Sequence, residues 1–401
     1  MTPLPLNLVL ALILLGGWAS GRLFLALRLP AVLGMLCCGL LIGIALPAAD
    51  WPAGLIELEP FLKTFALVVI LLRAGLGIRR RVLNRIGPTA LALAILPCLA
   101  EAAVLTLAIR GLLHFPWPVA ALTACMLSAV SPAVVVPAML RLTEAGYGRR
   151  NAVPTLVLAS ASVDDVLGIT LFALFVRMAR AETVQWTRTL LELPLAILVG
   201  ILPGILIGLA LARHFHRHPH RIRTTEKTLI LLTLSLLLVQ AGDWLQSAAL
   251  LGVMTVGFLL LERAESAAHE LAASLAKIWV FAEIILFVLI GMQVDPVLAL
   301  RAGPTALLIL ACGLSARSLG GWIATFRAPL TRNERLFCVI AYLPKATVQA
   351  ALGSTPLALG FPEGEHILAL AVLSILVTAP LGLLGIRYGG PRLLEIDHAD
   401  A

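Results

Sequence analysis

Long apolar blocks, broken by short polar or basic punctuation, run the whole length of the chain. Crossing a hydrocarbon core of roughly 30 Å takes about 20 mostly apolar residues. Thirteen runs meet that requirement, near 5–27, 31–48, 61–78, 86–110, 116–140, 152–176, 189–212, 226–242, 246–262, 276–292, 303–326, 335–357 and 366–386. Each predicts a membrane-spanning helix, because a helix satisfies every backbone donor and acceptor within its own segment. The first run lacks a basic leader and twelve more follow it, so it is expected to be a true span rather than a cleaved signal.

Composition excludes a water-soluble protein. Of 401 residues, 60% are hydrophobic and 13% charged, against roughly 45–50% and about 25% in soluble domains. Mean hydropathy is +1.00. The six cysteines, Cys37, Cys38, Cys98, Cys125, Cys312 and Cys338, all lie inside apolar runs and read as small packing residues. The net charge of +8 matters through its distribution. Alternate loops hold 21 of the 30 basic residues and the opposite loops 6. That asymmetry places the N-terminus outside and the C-terminus in the cytoplasm of a cell inner (plasma) membrane. No basic stripe with interleaved aromatics points to nucleic acid. No glycine-rich nucleotide loop is present, so no cofactor is expected and nucleotide-driven pumping is unsupported.

Candidate chemistry lies where charge costs most. An ionisable group at mid-membrane costs at least about 2.5–3.5 kcal/mol, so it is a functional candidate by default. Five occupy the middle third of a span: Glu101 in the fourth, Asp164 and Asp165 in the sixth, Arg317 in the eleventh and Lys345 in the twelfth. Three acids against two bases leave one negative charge, which suits one monovalent cation or a proton. Adjacent aspartates in Ser162-Val163-Asp164-Asp165 point about 100° apart. One can meet a cation while the other meets a base or a helix end. Close like charges push one carboxyl toward neutrality, and oxygen ligands suit hard cations such as Na+.

Two spans are interrupted by proline. The fifth carries Ser131-Pro132-Ala133-Val134-Val135-Val136-Pro137, and the twelfth Pro344-Lys345-Ala346-Thr347-Val348-Gln349. Each proline removes a donor and disfavours the helix before it. Unwound backbone at membrane depth belongs beside protein or a wet cavity. Pro132, Pro137, Pro344 and Thr347 are therefore expected to mark helix breaks, with Ser131 and Ser162 joining Asp164 and Asp165 as candidate cation- or proton-binding residues. The same order of features recurs seven spans later. An odd offset reverses direction across the membrane, so the expected architecture is an inverted repeat whose two broken helices cross at the site. Gly200, Gly204 and Gly208 form a small-residue face on the seventh span, suited to close packing within the chain.

The segments Ala129–Pro137, Gly146-Tyr147-Gly148, Val153-Pro154-Thr155, Asp164-Asp165 and Leu343–Ala351, in this order, resemble the NHA-type branch of the monovalent cation:proton antiporters. The resemblance implies a homodimer in membrane lipid with the all-α sodium/proton antiporter fold. It assigns dimerisation-domain helices to 1–85 and 226–302, core helices to 86–180 and 303–401, and a linker helix with a basic loop to 181–225. It implies exchange of Na+ or Li+ for H+ by an elevator-type step. Asp165 would be the main ligand of the transported ion and Asp164 its partner. The resemblance further implies a Glu101–Arg317 pair, leaving Asp164 to find Lys345 or a helix end. Because arginine does not deprotonate, electroneutral exchange is favoured. The alternatives are a K+/H+ exchanger or a cation-coupled solute transporter. An intramembrane aspartyl protease is disfavoured, since its two aspartates belong on different helices. A passive channel would be exposed by its inability to couple the two fluxes.

Overall fold

The computed structural model describes residues 4–46, 51–78, 80–180, 186–217, 222–245, 247–293, 297 and 303–396. Among them the chain is helical, and the one β-type contact is an isolated antiparallel bridge between Tyr147 and Ile396. The helices are α1 Leu6–Ala26, α2 Ala31–Ala45, α3 Ala53–Leu76, α4 Arg80–Leu113, α5 Trp117–Ser128, α6 Pro132–Glu144, α7 Val153–Ala179, α8 Trp186–Arg217, α9 Thr224–Leu245, α10 Ala249–Arg263, α11 Glu265–Met292, α12 Gly303–Thr325, α13 Arg332–Ala341, α14 Thr347–Leu352, α15 Thr355–Ala358 and α16 Gly364–Leu393. Each of the thirteen apolar runs is matched by one helix, or by a set of short ones where the chain is interrupted.

Several helices outrun their apolar segments. α3 begins eight residues, and α11 eleven residues, before the run that announced it. α4 has 34 residues, about 51 Å at 1.5 Å per residue. Hydropathy marks where hydrocarbon begins, whereas helical hydrogen bonding continues into the headgroup region.

The chain forms two compact units. The first combines Met1–Arg81 with Pro194–Val294, and the second Val82–Leu193 with Asp295–Ala401. Close backbone contact holds the first unit together. A side chain at Gly75 would strike the Met254 carbonyl, and one at Gly257 the Leu72 carbonyl. The stripe on α8 packs within the chain. Gly200 and Gly204 lie against Ala248 and Gly252, and Gly208 against Val256 and Leu259. With lipid outside, such small-residue contacts supply the van der Waals energy that apolar burial cannot.

The second unit is built around α5, which buries every residue from Val119 to Ser128. No charge occurs between Trp117 and Leu140, and a helix apolar on all faces belongs inside. Leu105 and Ile109 of α4, Phe172 of α7, Ile309 and Leu310 of α12, and Ile367 and Leu370 of α16 close around it.

Candidate ion site in the second unit

Both interruptions arise where proline forbids the helix behind it. Ser131, which precedes Pro132, is extended at φ −87°, ψ 108°, and Ala129 is extended at φ −68°, ψ 135°. The break is therefore 129–131, with Pro132 in the first turn of α6, where a missing N–H costs nothing. Pro137 does not break the chain. It lies inside α6, which continues through it to Glu144. This corrects the expectation from sequence. A proline five residues past the helix start forfeits one hydrogen bond near an end, and buried neighbours hold the remainder. In the second interruption, residues 342–346 are non-helical and α14 starts at Thr347.

The two breaks cross. Ser131 N–H donates to the Pro344 carbonyl at 2.9 Å. The hydroxyls of Ser131 and Thr347 lie 3.3 Å apart, and Thr347 N–H donates to Ser131 Oγ at 3.4 Å. Gln349 Nε2 donates to the carbonyls of Met126 at 2.9 Å and Ala129 at 3.0 Å. Lys345 N–H donates to Thr378 Oγ1 of α16 at 2.9 Å. Backbone groups freed by unwinding thus find partners, as membrane depth demands.

Helix α7 reaches this crossing through Gly168, whose added Cβ would stand 3.1 Å from the Ala129 Cβ. One turn earlier, Asp164 Oδ2 accepts the Val130 N–H at 2.7 Å. Arg317 of α12 completes the arrangement. Its Nη2 donates to both Asp164 oxygens, at 2.9 and 3.1 Å, and its Nη1 to Glu101 Oε2 at 2.8 Å and to the Ser128 carbonyl. Its Nε donates to the Tyr342 carbonyl at 2.6 Å, and its Cζ lies over the Tyr342 ring, 5.3 Å from the centroid. Five N–H groups meet five acceptor contacts, a geometry that lysine could not match.

Lys345 pairs with Glu101, its Nζ 2.9 Å from each carboxylate oxygen. It does not pair with Asp164, which takes Arg317 and the freed amide of the broken helix. The sequence alone leaves that partner open between Lys345 and a helix end. Arg317 bridges both acids because its forked guanidinium spans two carboxylates at once.

Glu101, Asp164, Arg317 and Lys345 are each at most 1% exposed, and their charges sum to zero. Asp165 is left over. It is half-buried, and its Oδ1 is buried with no hydrogen-bond partner among the described residues. A carboxylate oxygen beside a neutral network can accept a proton or a monovalent cation. Among the described residues no three His, Cys, Asp or Glu side chains are placed to hold a metal ion together, so further ligands for a cation would be hydroxyls, carbonyls or water. The side chain of Ser162 lies outside the described residues. Gln349 and Thr378 were not singled out beforehand. A glutamine deep in an apolar run was a usable signal, whereas a threonine in a helix carried none.

A family model described as "Sodium/hydrogen exchanger, transmembrane" matches residues 10–387. The chain belongs to the sodium/hydrogen exchanger family. Exchangers of this family are transporters, not enzymes, and this member is a multi-pass membrane protein that exchanges a cation for protons. It is 34% identical over 386 residues to sodium/hydrogen exchanger 9B2 of Homo sapiens, covering 92% of this chain and 71% of that protein. It is 30% identical over 349 residues to human sodium/hydrogen exchanger 9B1, covering 83% and 66%. The exchanger fold recurs in the sodium proton antiporter MjNhaP1 from Methanocaldococcus jannaschii, with TM-score 0.75, 19% identity and 97% of each chain covered.

Proposed function

We propose that this exchanger moves Na+ or Li+ against H+, one for one, with Asp165 binding the two ions in turn. The carrying observation is the surplus carboxylate. Arg317 and Lys345 neutralise Glu101 and Asp164, which leaves Asp165 as the charge that needs a proton or a metal ion. Arginine keeps its proton throughout, and Lys345 is held by Glu101, so a single carboxyl group carries the exchange and the cycle is electroneutral. The names of the curated relatives support sodium over potassium. Grouping of the whole network in one compact unit supports an elevator step of that unit, within a homodimer whose N-terminus faces outside.

The test is transport in proteoliposomes under an imposed pH gradient, with Na+, Li+ and K+ compared and voltage clamped by an ionophore. Below the pKa of the carboxyl group, each pH unit should raise apparent cation affinity about tenfold, because one proton competes with one cation. Asp165→Asn should abolish exchange of all three ions with melting unchanged. Retained exchange in that variant would refute the assignment. Flux that follows the clamped voltage would refute electroneutrality, and preference for K+ would move the protein to the alternative reading.

A further inference from the structure

Helices α4 and α12 approach closely where Gly320 faces Pro97. At the contact, a Cβ on Gly320 would lie 2.8 Å from Pro97 Cα, so the backbones nearly touch. On one side of this crossing, within about one turn, stand Glu101 and Arg317. On the other side lies a trough of about 690 Å³, walled by Thr89, Ala92 and Leu96 of α4 and by Trp322, Ile323 and Phe326 of α12 and its end. The wall from Pro88 to Leu96 runs about 12 Å along the helix axis. Leu96, Ile323 and Phe326 are exposed, and an apolar exposed lining at this depth faces hydrocarbon rather than water.

The mouth of the trough is basic. Arg327 lines it, and Arg335 lies over the Phe326 ring with its Cζ 5.6 Å from the centroid. Neither arginine has a carboxylate partner among the described residues. The neighbouring acid, Glu334, is fully engaged. It accepts both contacts of Asn151 Nδ2, at 3.1 and 2.9 Å, and the Thr331 N–H at 2.8 Å. Arg335 donates to the Ala328 carbonyl at 3.4 Å, and its Nε has no partner. An apolar slot ending in uncompensated arginines is complementary to a molecule with a hydrocarbon tail and an anionic head. Basic pockets between membrane helices recognise lipid head groups on this principle.

We propose that the α4–α12 trough is a binding site for an anionic phospholipid of the adjoining leaflet. One acyl chain lies between Leu96 and Ile323, and the phosphate meets Arg327 and Arg335. Seated there, the lipid braces the two helices that carry Glu101 and Arg317.

Two variants test it on the full-length protein. Arg327→Gln with Arg335→Gln removes the charge, and Ala92→Phe fills the slot while leaving the charge intact. Retained phosphatidylglycerol is counted by native mass spectrometry, and melting is followed as phosphatidylglycerol or phosphatidylcholine is titrated in. Both variants must elute as the wild type does in neutral detergent. Each arginine near the surface contributes about fivefold in affinity, so the double variant should bind phosphatidylglycerol roughly 30-fold more weakly. Ala92→Phe should lose the bound lipid outright. Equal phosphatidylglycerol binding by wild type and both variants overturns the site. Equal stabilisation by phosphatidylcholine overturns the anionic preference. Equal stabilisation by inorganic phosphate overturns the lipid in favour of a free anion. Should neither variant elute normally, Thr89→Phe and Arg327→Gln singly serve the same comparison.

Discussion

Removing the guanidinium of Arg317 should be among the most damaging single changes in the second unit, and the structure says how damaging. Arg317→Met strips Asp164 of its cation and leaves Glu101 with Lys345 alone. Breaking a buried pair from one side costs about 3–5 kcal/mol. The carbonyls of Ser128 and Tyr342 also lose their donor, at about 1–3 kcal/mol each when buried. Protonation of Asp164 offsets part of this, so the net loss should be about 4–6 kcal/mol. A unit of about 220 residues loses about 2–4 °C of melting temperature per kcal/mol, so the midpoint should fall by roughly 10–20 °C. The diagnostic step is a second substitution. Asp164→Asn combined with Arg317→Met removes both members of one pair and leaves the Glu101–Lys345 pair intact, with no net charge stranded. The double variant should recover about 2 kcal/mol over Arg317→Met, a coupling typical of contacting charges. The assay is thermal melting in detergent, followed by size-exclusion fluorescence across the four proteins of the cycle. Strict additivity, or an Arg317→Met protein that melts within about 2 °C of wild type, would refute the view of Arg317 as the shared cation of the network.

Three further substitutions have expected outcomes. Gln349→Leu releases the Met126 and Ala129 carbonyls and should cost about 2–4 kcal/mol. Melting would fall and maximal flux would drop, while the pH midpoint of exchange stays in place. Gly75→Leu drives a side chain into the Met254 carbonyl and the Phe258 amide and should abolish monodisperse expression. Gly111→Ala, in the last turn of α4 where an added Cβ meets nothing within 4 Å, should instead be neutral or slightly stabilising.

Much of this protein was legible as a string because membrane burial is paid for locally: each span must be apolar by itself and must satisfy its own backbone. The thirteen runs, the expense of Glu101, Asp164, Asp165, Arg317 and Lys345, and the interruptions before Pro132 and Pro344 all follow from that requirement. What hydropathy misses has the same origin. Hydropathy cannot see helix continuing past the hydrocarbon, so the early turns of α3 and α11 were invisible. Nor does it distinguish a proline that breaks a helix from one, Pro137, that neighbouring side chains hold inside it.

Chain order determined which charges would be buried; three dimensions decided who meets whom. Arg317 lies 216 residues from Glu101 and 153 from Asp164, and no spacing rule connects them. Choosing Arg317 rather than Lys345 as the partner of Asp164 required a forked donor, standing where α4, α7 and the first break converge. The unpaired oxygen of Asp165 is likewise a property of the assembled unit, because an acid becomes surplus only after every other charge nearby has found its counterpart.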